Sequence, residues 1–179
     1  MAFPPAHFLV GVGVAEVVGS AAPLPRWRAW ALAGALAVAP DLDFALGIAL
    51  ERGAAYHGTF THSIVATLVV AGLFLPFGIR WGVLAGSSFG SHLLVDLLDD
   101  RGRTNVLLGW PLTSERPLAI ARIFPQVPFY HGGGLREALL SLLRPEVVEA
   151  LLLQTAVGFC FFLLLFAISR IVRLLRSKA

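Results

Sequence analysis

Residues 151–169 form nineteen consecutive positions without a charge, closed by Arg170, Arg173, Arg176 and Lys178. A helix of that length crosses the roughly 30 Å of bilayer hydrocarbon, and a basic stop behind it is the pattern of a transmembrane segment. One such span sets the solvent for the whole chain. Charged residues make up only 14% and hydrophobic ones 57% of the sequence, whereas soluble domains carry about 25% charge. With 179 residues there is room for about five spans of ~20 residues each and no second soluble domain. The expected fold is an all-α polytopic transmembrane helical bundle, built as a single membrane-embedded domain over residues 1–179.

Four further apolar stretches supply the other spans. Residues 8–22 are interrupted by Glu16, residues 27–50 by Asp41 and Asp43, residues 63–79 run uncharged to Pro76 and Gly78, and residues 81–98 carry polar groups. Pro76 and Gly78 are expected to end their helix early, and Pro40 to kink or break the second span. No cleavable leader precedes the first stretch, which is expected to stay in the protein. Residues 99–144 differ, with Asp99, Asp100, Arg101, Arg103, four prolines and the run Gly132 to Gly134, which predicts a long irregular external loop. Within it, residues 135–143 suit a short interfacial helix. The chain therefore divides into a motif-bearing four-span core (1–115), a loop with its short helix (116–150) and a C-terminal span (151–175). Small residues, including Gly11, Gly34, Gly86 and Gly90, predict close packing of the four core spans. The single cysteine, Cys160, excludes an internal disulfide and is read as a buried small residue. The basic residues form no stripe interleaved with aromatics, so nucleic acid is not expected as a partner. Anionic lipid is.

Seven polar side chains do not belong in hydrocarbon. Asp41 and Asp43 would together oppose insertion by about 5–7 kcal/mol unless compensated. His57 and His62 frame the segment His57-Gly58-Thr59-Phe60-Thr61-His62-Ser63, in which Thr61 and Ser63 can orient an imidazole. His92 and Asp96, four apart, share one face of a helix and can hold one cation between them. His7 stands at the mouth of the first span. Each has a plainer reading: Asp43 or Ser63 as a helix cap, an interfacial histidine, a His–Asp hydrogen bond. Alternation of spans nevertheless brings all seven to one level of the membrane. If the basic tail is cytoplasmic, that level is the outer face.

These motifs resemble the YdjM-like, LexA-regulated predicted membrane-bound metal-dependent hydrolases of bacteria. The likeness rests on His7, Pro40-Asp41-Leu42-Asp43, His57 to Ser63, Ser91-His92 through Asp96, and Gly109-Trp110-Pro111-Leu112, and covers roughly residues 1–115. Gly58 stands where that family often has arginine. The order of histidines and aspartates is also similar to the first part of zinc-dependent phospholipase C, which implies phosphoester hydrolysis and more than one metal ion. The expected site is a metal centre drawn from His7, Asp41, Asp43, His57, His62, His92 and Asp96, with His57, His62 and Asp96 in catalytic roles. Zinc suits the nitrogen and oxygen donors, and manganese or iron fits them as well. The expected function is a hydrolase of the bacterial inner membrane acting on a lipid or lipid-linked ester, with Arg101, Arg103 or Arg116 available for a phosphate and no role assigned to His131. Intramembrane Asp and His also mark ion pathways, so a metal or proton transporter is the alternative, with a metal-stabilised scaffold as a third.

Overall fold

The computed structural model describes residues 2–18, 24–50, 52, 56–98, 104, 106–128 and 135–178. Among them are seven α-helices and no strand: α1 (Pro4–Val18), α2 (Arg26–Val38), α3 (Leu42–Ala49), α4 (Ile64–Phe74), α5 (Ile79–Leu97), α6 (Leu135–Ser141) and α7 (Pro145–Arg176). The loop residues Asp99, Asp100, Arg101 and Arg103, the 132–134 glycine run and His131 lie outside the described residues.

Two helical stretches among the described residues are long and apolar enough to cross a membrane. One is Arg26–Gly47, 22 residues with mean hydropathy 1.4, and the other is α7, 32 residues with mean hydropathy 2.5. Helix α1 and the stretch Ile64–Phe77 are apolar but shorter. None of the residues of α4 is buried, and its outward surface is Ile64, Leu68, Val69 and Leu73. Helix α7 likewise exposes Leu152, Leu153, Phe159, Leu163, Leu164 and Ile168. A contiguous apolar exterior of this extent marks a surface made to be covered by lipid or by another protein. Cys160 is part of it, exposed on α7 rather than buried. A thiol behaves as a small hydrophobe and sits without penalty on a surface that faces lipid.

Helix α1 lies at the centre, packed on α2, α5 and α7, while α4 packs chiefly on α5. Small residues set these distances. A Cβ on Gly11 would come within 2.5 Å of Ala37 Cβ and 2.6 Å of the Ala33 carbonyl oxygen, so α1 and α2 touch backbone to backbone. On the α4 side, a Cβ on Gly86 would meet Ala71 Cβ at 2.8 Å. The C-terminal helix thus joins the bundle through α1, which the small-residue pattern of the first four spans does not indicate.

Pro40 interrupts the α-helix of the second stretch without ending it. The backbone tightens into a 3-10 turn at Ala39–Asp41 and resumes as α3, because a proline is tolerated in the first turn of a helical segment, where its missing N–H has no partner to lose. A second 3-10 turn, Phe60–His62, leads into α4. There Ser63 is the N-cap, its Oγ accepting from Ala66 N–H at 3.0 Å. Gly78, at φ +118°, makes the reversal between α4 and α5, a backbone conformation that suits only glycine.

Residues 104 and 106–128 are irregular, as expected, but they are not simply external. Leu97 O accepts from Ile120 N at 2.7 Å, and Leu98 O from Phe124 N at 3.0 Å, so the loop satisfies carbonyls left open at the end of α5. Phe124 is fully buried against Ala2, Ala6, Val10 and Val95.

Candidate metal centre

The two 3-10 turns, the first turns of α1 and α3, the turn at His57 and the C-terminal half of α5 converge in the interior. They bring together His7, Asp41, Asp43, His57, His62, His92 and Asp96, none more than 9% exposed. All seven residues singled out in the sequence meet there, and their hydrogen bonds divide them into distinct roles.

The Asp43 carboxylate is fully engaged. Its Oδ1 accepts from His57 Nδ1 at 3.0 Å, and its Oδ2 accepts from Thr61 Oγ1 at 2.5 Å. An ionised carboxylate only accepts, so the Thr61 proton points at Asp43. Thr61 Oγ1 therefore receives the hydrogen of His62 Nδ1, 2.9 Å away. That fixes His62 with its free lone pair on Nε2. By the same logic the proton of His57 is on Nδ1, and its Nε2 is buried with no hydrogen-bond partner among the described residues. His92 Nδ1 lies 2.8 Å from the Ala37 carbonyl oxygen. A carbonyl cannot donate, so His92 too carries its lone pair on Nε2.

His62 Nε2 and His92 Nε2 are 3.0 Å apart. Two lone pairs facing each other at that distance repel unless a positive centre lies between them. Asp96 Oδ2 closes a triangle on this pair, 3.3 Å from His92 Nε2 and 3.6 Å from His62 Nε2. Asp41 Oδ1 forms a second triangle on the same edge, at 3.6 and 3.8 Å. Neither oxygen of Asp41 has a hydrogen-bond partner among the described residues, which for a buried carboxylate is costly by several kcal/mol without a cation. Donor atoms bound to a tetrahedral ion at about 2.0–2.1 Å stand roughly 3.3 Å from one another, so these distances fit a divalent metal. Among the described residues, three overlapping groups each bring donor atoms within 4.8 Å of one another: His7, Asp41 and His92; Asp41, His57 and His62; and His62, His92 and Asp96.

His7 stacks on His92 with centroids 3.7 Å apart. Its Nε2 is 3.1 Å from the Ala2 carbonyl and 3.5 Å from Asp96 Oδ1, while its Nδ1 is buried without a hydrogen-bond partner among the described residues. Ser63 caps α4 instead of orienting an imidazole, and Arg116 lies exposed on the 104–128 segment.

Three contributors were not foreseen. The Ala37 and Ala2 carbonyls are backbone groups and leave no trace in sequence. Gln154 accepts from Phe3 N–H at 2.7 Å and donates to Pro125 O at 2.6 Å, tying α7 to both the N-terminal segment and the loop. An amide inside an uncharged apolar run was the available signal.

An all-helical chain with an apolar exterior and a buried His/Asp cluster belongs to the class of helical membrane proteins with a candidate metal centre. The family model described as YdjM inner membrane protein matches residues 1–177, and the chain belongs to that family. Comparisons with curated proteins and with solved structures gave no match.

Proposed function

We propose that the protein is a membrane-embedded metal-dependent hydrolase acting on a lipid or lipid-linked ester or phosphoester. The observation that carries this reading is the pair of Nε2 lone pairs 3.0 Å apart, flanked by Asp96 and by the partnerless carboxylate of Asp41. Asp41, His62, His92 and Asp96 would hold the ion, with zinc favoured by the mixed donor set and manganese or iron as alternatives. When bound in a site with an open position, such an ion polarises an ester or phosphoryl oxygen and lowers the pKa of water from 15.7 to about 7.

The remaining residues supply positioning and proton transfer. Asp43 holds His57 and, with Thr61, His62 in one tautomer each. This is the carboxylate–histidine arrangement that raises the basicity of an imidazole. His57 Nε2, buried and without a partner, takes a proton and returns it to the leaving oxygen. His7, stacked on His92, restrains that ring.

In the same reading α1, α2 with α3, α4, α5 and α7 are five spans of the inner membrane, with the cluster near its outer face. Gathering of the polar groups at one level supports an enzyme over a transporter, which needs access from both sides. The remaining buried carboxylate among the described residues, Glu16, is held by Arg26 and Trp30, each at 2.7 Å, and does not continue a polar path.

The test is elemental analysis of protein purified without chelator, followed by hydrolysis assays on phospholipids and phosphodiesters. Near-stoichiometric transition metal and a metal-dependent activity are expected. Protein without metal that also shows no thermal shift on adding zinc or manganese would remove the site and the function with it.

A further inference from the structure

A second site lies on the flank of the bundle formed by α1, α2 and α7, its basic mouth beside Glu16, two turns and more along α1 from His7. Phe8, Leu9 and Val12 of α1, Trp27, Trp30 and Ala31 of α2, and Phe159 and Phe162 of α7 line a lateral groove of about 360 Å³. Every one of these side chains is apolar or aromatic, so the groove has no chemistry for a polar ligand along its length.

One mouth of the groove is different. Two tryptophans of its wall each carry a guanidinium on the ring face: Arg26 lies 4.7 Å from the centre of Trp30, and Arg28 lies 5.0 Å from that of Trp27. On the α7 side, one turn beyond the groove residue Phe162, Phe166 is approached by Arg26 at 5.4 Å and by Arg170 at 5.1 Å. Arg26 and Arg173 share the one buried carboxylate of Glu16, which leaves this mouth with a net positive charge. Arg26 is half-exposed despite that pairing, at 46% of its side chain.

An apolar slot that ends in arginines stacked on aromatic faces has the polarity of a lipid reversed in charge. Aromatic rings of this kind sit at the headgroup level of a bilayer, and planar guanidinium forks match phosphate oxygens. We infer that this groove is a binding site for one anionic phospholipid, its acyl chain in the slot between α2 and α7 and its phosphate against Arg28 and Arg170. The site is independent of the metal centre. It seats a lipid against the seam where α7 joins the bundle.

The probes are dioleoyl phosphatidylglycerol and dioleoyl phosphatidylcholine, titrated into delipidated full-length protein and read by native mass spectrometry. Phosphatidylglycerol should bind in a 1:1 complex and more tightly than phosphatidylcholine. Ala31 is exposed in the groove, so Ala31→Phe fills the slot without touching the core and should abolish the 1:1 complex. Arg28→Gln with Arg170→Gln spares the Glu16 pairing and should weaken phosphatidylglycerol about 30-fold, at the usual contribution of a basic residue beside an anionic lipid. The double variant should weaken phosphatidylcholine, whose phosphate is offset by its choline cation, far less. Equal binding of the two lipids by the wild type, or undiminished phosphatidylglycerol binding by folded Ala31→Phe, overturns the assignment.

Discussion

Asp43→Ala separates a residue that holds the site's geometry from one that holds a metal. Asp43 accepts from His57 through one oxygen and from Thr61 through the other, and Thr61 relays the contact to His62. Removing it frees two imidazoles to carry the proton on either nitrogen, and an imidazole protonated on Nε2 has no lone pair to offer there. Loss of one such orienting partner costs typically 10–100-fold in metal affinity. Of the two rings that depend on Asp43, His62 is the proposed ligand, so a loss within that range is expected, and Asp43→Asn, which keeps one accepting face, should lose less. At saturating free metal a 10–100-fold weaker site lowers the metal-linked part of folding stability by about 1.4–2.7 kcal/mol. The assay is zinc competition against a chelator on purified protein, paired with thermal unfolding in zinc and in chelator. Wild type and variant should differ more in zinc than in chelator. Unchanged zinc affinity, or the same stability loss in both conditions, would refute the tautomer argument.

Three further outcomes are expected. His92→Ala and Asp96→Ala should each remove most of the bound metal and any hydrolysis while still inserting into the membrane; wild-type loading in His92→Ala, read by elemental analysis, would overturn the ligand assignment. Gly11→Ala should cost about 1–3 kcal/mol as an overpacked contact and also weaken metal binding, since it presses on Ala37, whose carbonyl anchors His92; unfolding and zinc titration together test this, and an unaltered melting temperature would contradict it. Single cysteines at Thr113 and Ser177, in a Cys160→Ser background, should be labelled by an impermeant reagent from opposite faces of the membrane, and labelling of both from one face would rule out the odd number of crossings between them.

The candidate site was legible in the sequence because its residues are expensive where they stand. A carboxylate such as Asp41 or Asp96 inside an apolar run announces a compensating partner, and alternation of spans brings those partners to one level without any knowledge of packing. The division of labour was not legible. Asp41 and Asp43 look alike as letters two positions apart, yet one has both oxygens without hydrogen-bond partners and the other has both engaged. That difference comes from the 3-10 turn at Pro40, whose path depends on what packs around it. Helix positions followed from apolar runs and from Pro76 and Gly78. The docking of α7 on α1 did not, because Gly158, which approaches Ala6, stands among bulky residues in a span that the small-residue pattern of the first four leaves out. The return of the loop to the end of α5 was equally hidden, being made by backbone groups.

That returning loop bears on how the protein is made. All seven side chains of the cluster lie between His7 and Asp96, whereas Phe124, which plugs the space beside α1 and α5, follows Asp96 by 28 positions. At about 5–20 residues per second, the ribosome delivers the complete donor set a few seconds before it delivers the plug. α7 comes later still. A cation entering during synthesis therefore meets the donor set before Phe124 and α7 are in place, so apo protein made in metal-starved cells should load more slowly than nascent chains do.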